Sequence, residues 1–329
     1  MSKLIRFYET GGAEVLKIEN TPPDVPGEGE VRLKVEAIGL NRAEIMFREG
    51  QYLEEPAPPS KLGYEASGVI DAIGPDVKTL KVGDRVSTIP SFSMGKYGVY
   101  GENPVVPAYA VAAYPDNLSA IEGASIWMQF LTAFGALIEY AKLSAEDSVL
   151  ITAASSSVGV AAIQVAKSVG AKVIAATRTE EKKKFLLEAG ADHVIVTNSQ
   201  DLAAICNEIT SGNGVNVVFD PIGGPIIEEL ANAAAPGGII FEYGALSTDP
   251  SPFPLFTALG KGLSIRGYTL FEITQDPIIL ERGKQFIYLG LESGKLKPVI
   301  DRTFAFDSII DAHKYMEKGD QMGKIVITV

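Results

Sequence analysis

Val149-Leu150-Ile151-Thr152-Ala153-Ala154-Ser155-Ser156-Ser157-Val158-Gly159 is the stretch on which the fold turns. Val149 to Thr152 is a short apolar run rich in β-branched residues, the signature of a buried strand. Small residues follow. From Val158 to Val169 the apolar residues Ala162, Val165, Ala166 and Val169 recur at helical spacing. A strand, a tight turn of small residues and a helix make the dinucleotide-binding arrangement. There the unpaired N–H groups and the dipole of the helix N-terminus hold a pyrophosphate. Only the last glycine of that fingerprint, Gly159, is present, and it allows helix and strand to pack closely. Ser156 stands three residues earlier, where the backbone approaches phosphate. Serine is small and brings a hydroxyl, with less conformational freedom than glycine. Alone, the stretch reads equally well as a serine-rich helix N-terminus, because serine caps helices of any function.

The flanking sequence adds context. Lys172 to Thr177 is the next strand, and Thr177-Arg178 closes it about twenty residues after Gly159, where an acidic side chain would receive the ribose 2′-hydroxyl of NAD. This chain has Arg178 there and Lys182 one turn later. Cations at that point suit the 2′-phosphate of NADP(H), which arginine can grip with two hydrogen bonds. The competing reading is a solvated helix face with a Glu180–Lys184 pair. Glu180 to Ala189 predicts a helix closed by Gly190. His193 to Val196, Asn216 to Asp220, Gly238 to Tyr243 and Leu263 to Gly267 predict further strands. Alternation of strands and helices predicts a doubly wound parallel sheet with helices on both faces.

Before about Ser119 the character differs. Val31 to Ala37 alternates apolar and polar residues, Gly68 to Gly74 is a second short run, and Val82 to Val86 a third. Glu55 to Ser60, with three prolines, can be neither helix nor central strand. The end of the chain predicts helices at Ile278 to Leu291 and Ser308 to Lys318 and a closing strand at Lys324 to Val329.

The composition narrows the function. The 329 residues carry a net charge of -12, which disfavours nucleic acid as a partner. There is one cysteine, Cys206, and there are two histidines, His193 and His313. These exclude an intrachain disulfide and a zinc site of four cysteines or of two cysteines and two histidines. Cys206 lies with Leu202, Ile205 and Ile209 on one predicted helix face and is expected in the core. The two histidines are expected to be structural or at the surface. Met1 to Thr10 lacks an apolar segment, and no stretch is long and apolar enough to cross a bilayer. The expectation is a cytoplasmic protein.

Several motifs occur together in one order. They are Gly39-Leu40-Asn41-Arg42-Ala43-Glu44, Gly63 to Ile70, Val82 to Val86, Leu131-Thr132-Ala133-Phe134, Ala153 to Gln164, Gly237 to Ser247, and Met322 to Val326. In these the chain resembles zinc-independent medium-chain dehydrogenase/reductases of the quinone oxidoreductase (zeta-crystallin-like) branch, over nearly its whole length. The resemblance implies an α/β protein with a GroES-like β-rich catalytic domain from residues 1–122 and 267–329 and a Rossmann domain from 123–266. It implies cofactor and substrate in a cleft and a homodimer. Zinc alcohol dehydrogenases would have histidine at Tyr64 and cysteine near Asn41, so no metal is expected.

Residue by residue, the resemblance places Asn41 at the nicotinamide ribose and substrate and Thr132 at the nicotinamide ring, with Tyr52 and Tyr64 at the substrate. It places NADPH on Ser156, Ser157, Val158, Gly159, Thr177, Arg178 and Lys182, with Tyr243, Gly244, Leu246 and Ser247 on the nicotinamide side. The family's paired glycines are Ser156 and Ser157 here, and Met46 and Thr197 replace common tyrosines. Asn41 and Thr132 also have purely local readings, as a turn residue and as a residue bonded to its own helix.

Without a metal to polarise a carbonyl, the easier acceptor is a conjugated carbon. A quinone or α,β-unsaturated carbonyl spreads the developing charge, and the protein supplies position, hydrogen bonds and a proton from solvent, Tyr52 or Tyr64. The expected activity is NADPH-dependent reduction of such an acceptor. The alternatives are an enoyl-thioester or haloacrylate reductase (Arg42 and Arg48 being candidates for an acyl-CoA phosphate), a non-catalytic NADPH-binding protein, and an alcohol dehydrogenase.

Overall fold

Ser148–Ile151 is a fully buried strand and Ser157–Ser168 the helix after it, in a computed structural model that describes residues 1–329. They belong to the second of two units. The first comprises Met1–Met128 and Pro298–Val329, the second Gln129–Lys297.

In the second unit six strands, all parallel, lie in the order His193–Val196, Lys172–Thr177, Ser148–Ile151, Val215–Asp220, Ala234–Glu242, Ser264–Gly267. Numbered along the unit this is 3-2-1-4-5-6, the doubly wound dinucleotide-binding order. The topological switch lies between the strand of the opening stretch and Val215–Asp220. The central strands Ser148–Ile151, Lys172–Thr177 and Val215–Asp220 are buried on both faces and so read as nearly continuous apolar runs. Leu150, Ile174, Ile195, Val218 and Ile240 form one core with Leu230 and Cys206. Each such side chain contributes about 1.5–3 kcal/mol by leaving water. Burial pushes the Cys206 thiol up to about 12, which makes it inert as a nucleophile. A Cβ at Gly159 would lie 2.5 Å from the Ala154 carbonyl oxygen, so the close approach of helix to turn does require glycine there.

The second unit is longer than the motifs suggested. Pro277–Glu292 packs within it, Gly283 lying against Leu131 and Phe134, and the Phe134 and Phe286 rings 5.4 Å apart. The division therefore falls at 128/129 and 297/298 rather than at 122/123 and 266/267. The helix expected from Glu180 begins as a tight 3₁₀ turn, Glu180–Lys182, before Lys183–Glu188. Glu180 consequently pairs with Lys183 at 3.1 Å and not with Lys184.

The first unit is built on a seven-stranded sheet. Ile300–Ala305 runs parallel to Lys324–Thr328, which pairs antiparallel with Glu30–Gly39. Antiparallel Glu65–Ile73, Arg85–Thr88 and Val111–Ala113 continue it, and Val105–Pro107 pairs with Glu30–Gly39. The closing strand is thus paired with one near the start, as a domain made from both chain ends requires. No helix is long and apolar enough to cross a membrane.

Candidate active site

In the second unit the candidate phosphate turn is organised by its serines. Ser156 has an ordinary extended backbone (φ -67°, ψ 162°), so this place needs no glycine, and its Oγ accepts the Gly159 N–H at 3.0 Å. The strain sits earlier, at Ala153, whose φ of +43° is in the left-handed region. Lys182 reaches back across the turn, its Nζ 3.2 Å from the Ser155 Oγ. Arg178 is exposed and directly follows buried Thr177 at the end of the strand Lys172–Thr177. Ser157, Val158 and Gly159 form the first turn of the helix. The structure therefore brings one cation, Lys182, to the turn before this helix, and leaves Arg178 at the carboxyl end of the neighbouring strand Lys172–Thr177.

The segment expected on the nicotinamide side lies at the same edge. Tyr243 stacks on Phe219 with ring centroids 4.0 Å apart, and its buried hydroxyl faces Ser156. Gly244 lies against Pro221, the Leu246 N–H donates to the Pro221 carbonyl at 3.0 Å, and the Ser247 N–H donates to the Ile222 carbonyl at 2.8 Å. Thr132 is buried, two residues before the chain widens into a π-helix at Phe134–Tyr140. Such widened turns occur mostly at functional sites.

Two carboxylates here were not singled out by the sequence. Asp220 and Glu242 are paired in register at the ends of neighbouring strands. Asp220 accepts from the Thr152 hydroxyl and from the N–H groups of Ile222 and Gly223, the last at 2.7 Å. Burial, then the charge of Asp220, pushes Glu242 up to about 8. The available signal was an acidic residue closing each of two Rossmann strands.

In the first unit Asn41 caps the helix Arg42–Arg48 and is 6 % exposed. Tyr52 is partly exposed, and its ring lies 6.4 Å from that of Tyr64, which in turn lies 5.8 Å from Phe92. The hydroxyls of Tyr52 and Tyr64 interact. Tyr64 is wholly buried, so of the two only Tyr52 is accessible from solvent. Burial raises the pKa of both phenols and keeps them protonated.

Arg48, considered above for an acyl-CoA phosphate, is wholly buried. It pairs with Glu317 at 2.6 Å and with Glu49, so only Arg42 of that pair is exposed. His313 is structural: buried and bonded to Arg48 and to Tyr100, it is pushed down to about 3 by burial and by the Arg48 charge.

Residues 27–153 match the family described as alcohol dehydrogenase GroES-like domain, and residues 157–281 match zinc-binding dehydrogenase. Quinone oxidoreductase of Homo sapiens is 30% identical over 99% of this chain and 98% of its own length. The chain belongs to the quinone oxidoreductase family of medium-chain dehydrogenase/reductases. A 2-haloacrylate reductase from Burkholderia sp is also 30% identical, over 98% of this chain and 97% of its own. Among solved structures, the Escherichia coli quinone oxidoreductase complexed with NADPH superposes with a TM-score of 0.93 at 28% identity, covering 99% of this chain and 100% of that one. An NAD-dependent alcohol dehydrogenase superposes at 0.91 and 31% identity, covering 99% of each chain. This quinone oxidoreductase family member therefore has a GroES-like unit and a Rossmann unit, and it is an oxidoreductase.

Proposed function

We propose that the protein is an NADPH-dependent reductase that transfers hydride, without zinc, to a quinone or an α,β-unsaturated carbonyl, in the cytoplasm and as a homodimer. The observation that carries the cofactor reading is Lys182 beside Ser155 at the start of the Ser157–Ser168 helix, with Arg178 exposed at the end of the neighbouring strand. Cations at these two places suit a 2′-phosphate, and the capped helix start suits a pyrophosphate. NADPH, when bound, supplies the hydride. Ser156, Ser157, Val158 and Gly159 hold the pyrophosphate, and Thr177, Arg178 and Lys182 hold the adenosine ribose and its phosphate. Thr132, Tyr243, Gly244, Leu246 and Ser247 bound the nicotinamide.

On the substrate side, Asn41 and Tyr52 act at the reacting end. Tyr52 gives the proton, and Tyr64 orients its hydroxyl. Independence of zinc is supported by the donor set. Tyr64 is buried among aromatic rings, Cys206 and His313 lie in separate cores, and His193 is exposed at a strand start. This also weighs against alcohol oxidation. Dimer formation is supported by the edge strand Ser264–Gly267 and by the apolar side chains of Phe253, Phe256 and Leu259 on and before the neighbouring helix Leu255–Lys261.

A panel of 1,4-benzoquinone, an enone, crotonyl-CoA and 2-chloroacrylate with NADPH tests the activity. Oxidation with at least one is expected, and binding without turnover on any would defeat it. Arg178→Ala is expected to raise the Kd for NADPH about tenfold and leave NADH nearly unchanged, the size of a lost charge-assisted contact.

A further inference from the structure

The Asn41 side chain sits between two buried charges of opposite sign. Its Nδ2 donates to the Glu44 Oε1 at 3.1 Å and to the Gly39 carbonyl at 3.2 Å. Its Oδ1 accepts from the Lys324 Nζ at 2.6 Å. Lys324 is 1 % exposed and is held in turn by Glu65, whose other oxygen accepts the Met128 N–H at 2.9 Å. Glu44 is wholly buried and accepts from the Asn41 N–H at 2.7 Å, the Tyr64 N–H at 3.0 Å and the Tyr100 hydroxyl at 2.7 Å. With Asn41 Nδ2 this makes four donors around one carboxylate and uses every lone-pair site it has. A protonated Glu44 would place a donor against donors, so the group is ionised although burial raises its pKa.

The amide dipole therefore has its NH₂ toward an anion and its oxygen toward a cation. Reversing it would set oxygen against carboxylate and NH₂ against ammonium. A Cβ at Gly39 would run into the Ala124 carbonyl oxygen first and, less severely, the Lys324 Cε, so glycine is needed beside the lysine stem. Both Nδ2 hydrogens are spent inside the protein. The valence left to Asn41 is the second lone pair of Oδ1, which can only accept.

We propose that Glu44 and Lys324 are positioning residues that lock the Asn41 amide so that it meets its ligand as a hydrogen-bond acceptor. The ligand group at Asn41 is then a donor, such as a hydroxyl of the cofactor ribose, and the oxygen of a conjugated acceptor takes its hydrogen bond elsewhere. The ligand part of this inference rests on the function proposed above; the lock does not.

The test uses the whole protein and two readouts. The first is hydrogen exchange of the Asn41 side-chain NH₂ by NMR, assigned through the signal lost in Asn41→Ala. Protection is expected in the wild type, and its loss in Lys324→Met/Glu65→Gln, a double variant that removes both members of the ion pair and whose fold circular dichroism checks. Wild-type exchange as fast as that of an exposed amide, or unchanged protection in the variant, overturns the lock. The second is a double-mutant cycle on NADPH binding and on kinetics with the acceptor. Lys324→Met/Glu65→Gln is expected to raise the Kd and KM for NADPH about tenfold, with kcat changed less than about threefold, and to add nothing in an Asn41→Ala background. An additive effect, or a fall in kcat with Kd unmoved, overturns the acceptor role. A wild type that binds no NADPH, with the NH₂ protected, defeats the proposed function and with it the ligand assignment, and leaves the lock standing.

Discussion

In the unit made from both chain ends, buried charges meet their opposites. Glu44 lies across Asn41 from Lys324, Lys324 holds Glu65, and Arg48 holds Glu317 and Glu49. In the Rossmann unit the buried pair consists of like groups, Asp220 and Glu242, side by side on parallel strands. In the first cluster opposite charges attract and hold one another in place. Two carboxyls at close quarters hold a proton, so the second responds to pH. That proton belongs on Glu242, because the Asp220 oxygens already accept three hydrogen bonds.

The comparison can be broken most severely at Lys324. Lys324→Met alone leaves the Glu65 carboxylate buried and without its ammonium, and about 3–5 kcal/mol of stability is expected to be lost in denaturant unfolding. Adding Glu65→Gln is expected to restore most of it. Loss in the single variant no greater than at an exposed lysine would mean that the cluster is not charged as described.

His313 sharpens the contrast within the first unit. Its folded pKa of about 3 lies below its ordinary value of 6.5, so the unfolded chain binds the extra proton first. Its contribution is complete above about pH 6.5 and is lost as pH falls toward 3. At pH 4 this amounts to roughly 3 kcal/mol. His313→Leu is expected to flatten that acid limb in thermal unfolding between pH 7 and 4.

Glu242 has the opposite sign. Its folded pKa of about 8 lies above its ordinary 4.5, so its contribution is complete below about pH 4.5 and is lost as pH rises through 8. Glu242→Gln mimics the protonated form and is expected to be more stable than wild type by about 1–2 kcal/mol at pH 8.5, a figure reduced for partial solvent access, and nearly equal to it at pH 5. Equal stability at both pH values would remove the shared proton. Smallest is Ala153→Gly, which relieves a left-handed backbone in the phosphate turn and is expected to gain at most about 1 kcal/mol in Tm-derived stability.

The Rossmann strands were legible because local apolar runs carry them: Lys172–Thr177 and His193–Val196 fall where the pattern placed them. The glycine-poor turn was legible too, with Gly159 packed against Ala154 and Ser156 as helix cap. The shape of the helix start at Glu180 was not, because the choice between a 3₁₀ and an α turn is made by packing. The Asn41 lock was hidden for another reason. Lys324 and Asn41 are 283 positions apart, and Lys324 and Glu65 are 259 apart, so no local pattern joins them. Arg48 looked like a surface cation because its partners, Glu317 and His313, come from the far end of the chain.

The reaction proposed is hydride transfer to a conjugated carbon. It is tested most directly by turning over an enone with NADPH deuterated at the transferable C4 position, in the presence of a zinc chelator, and locating the label in the product. Deuterium on the β-carbon of a saturated ketone is the predicted result. Deuterium on the carbonyl carbon of an allylic alcohol, or transfer that stops when the chelator is added, would contradict it.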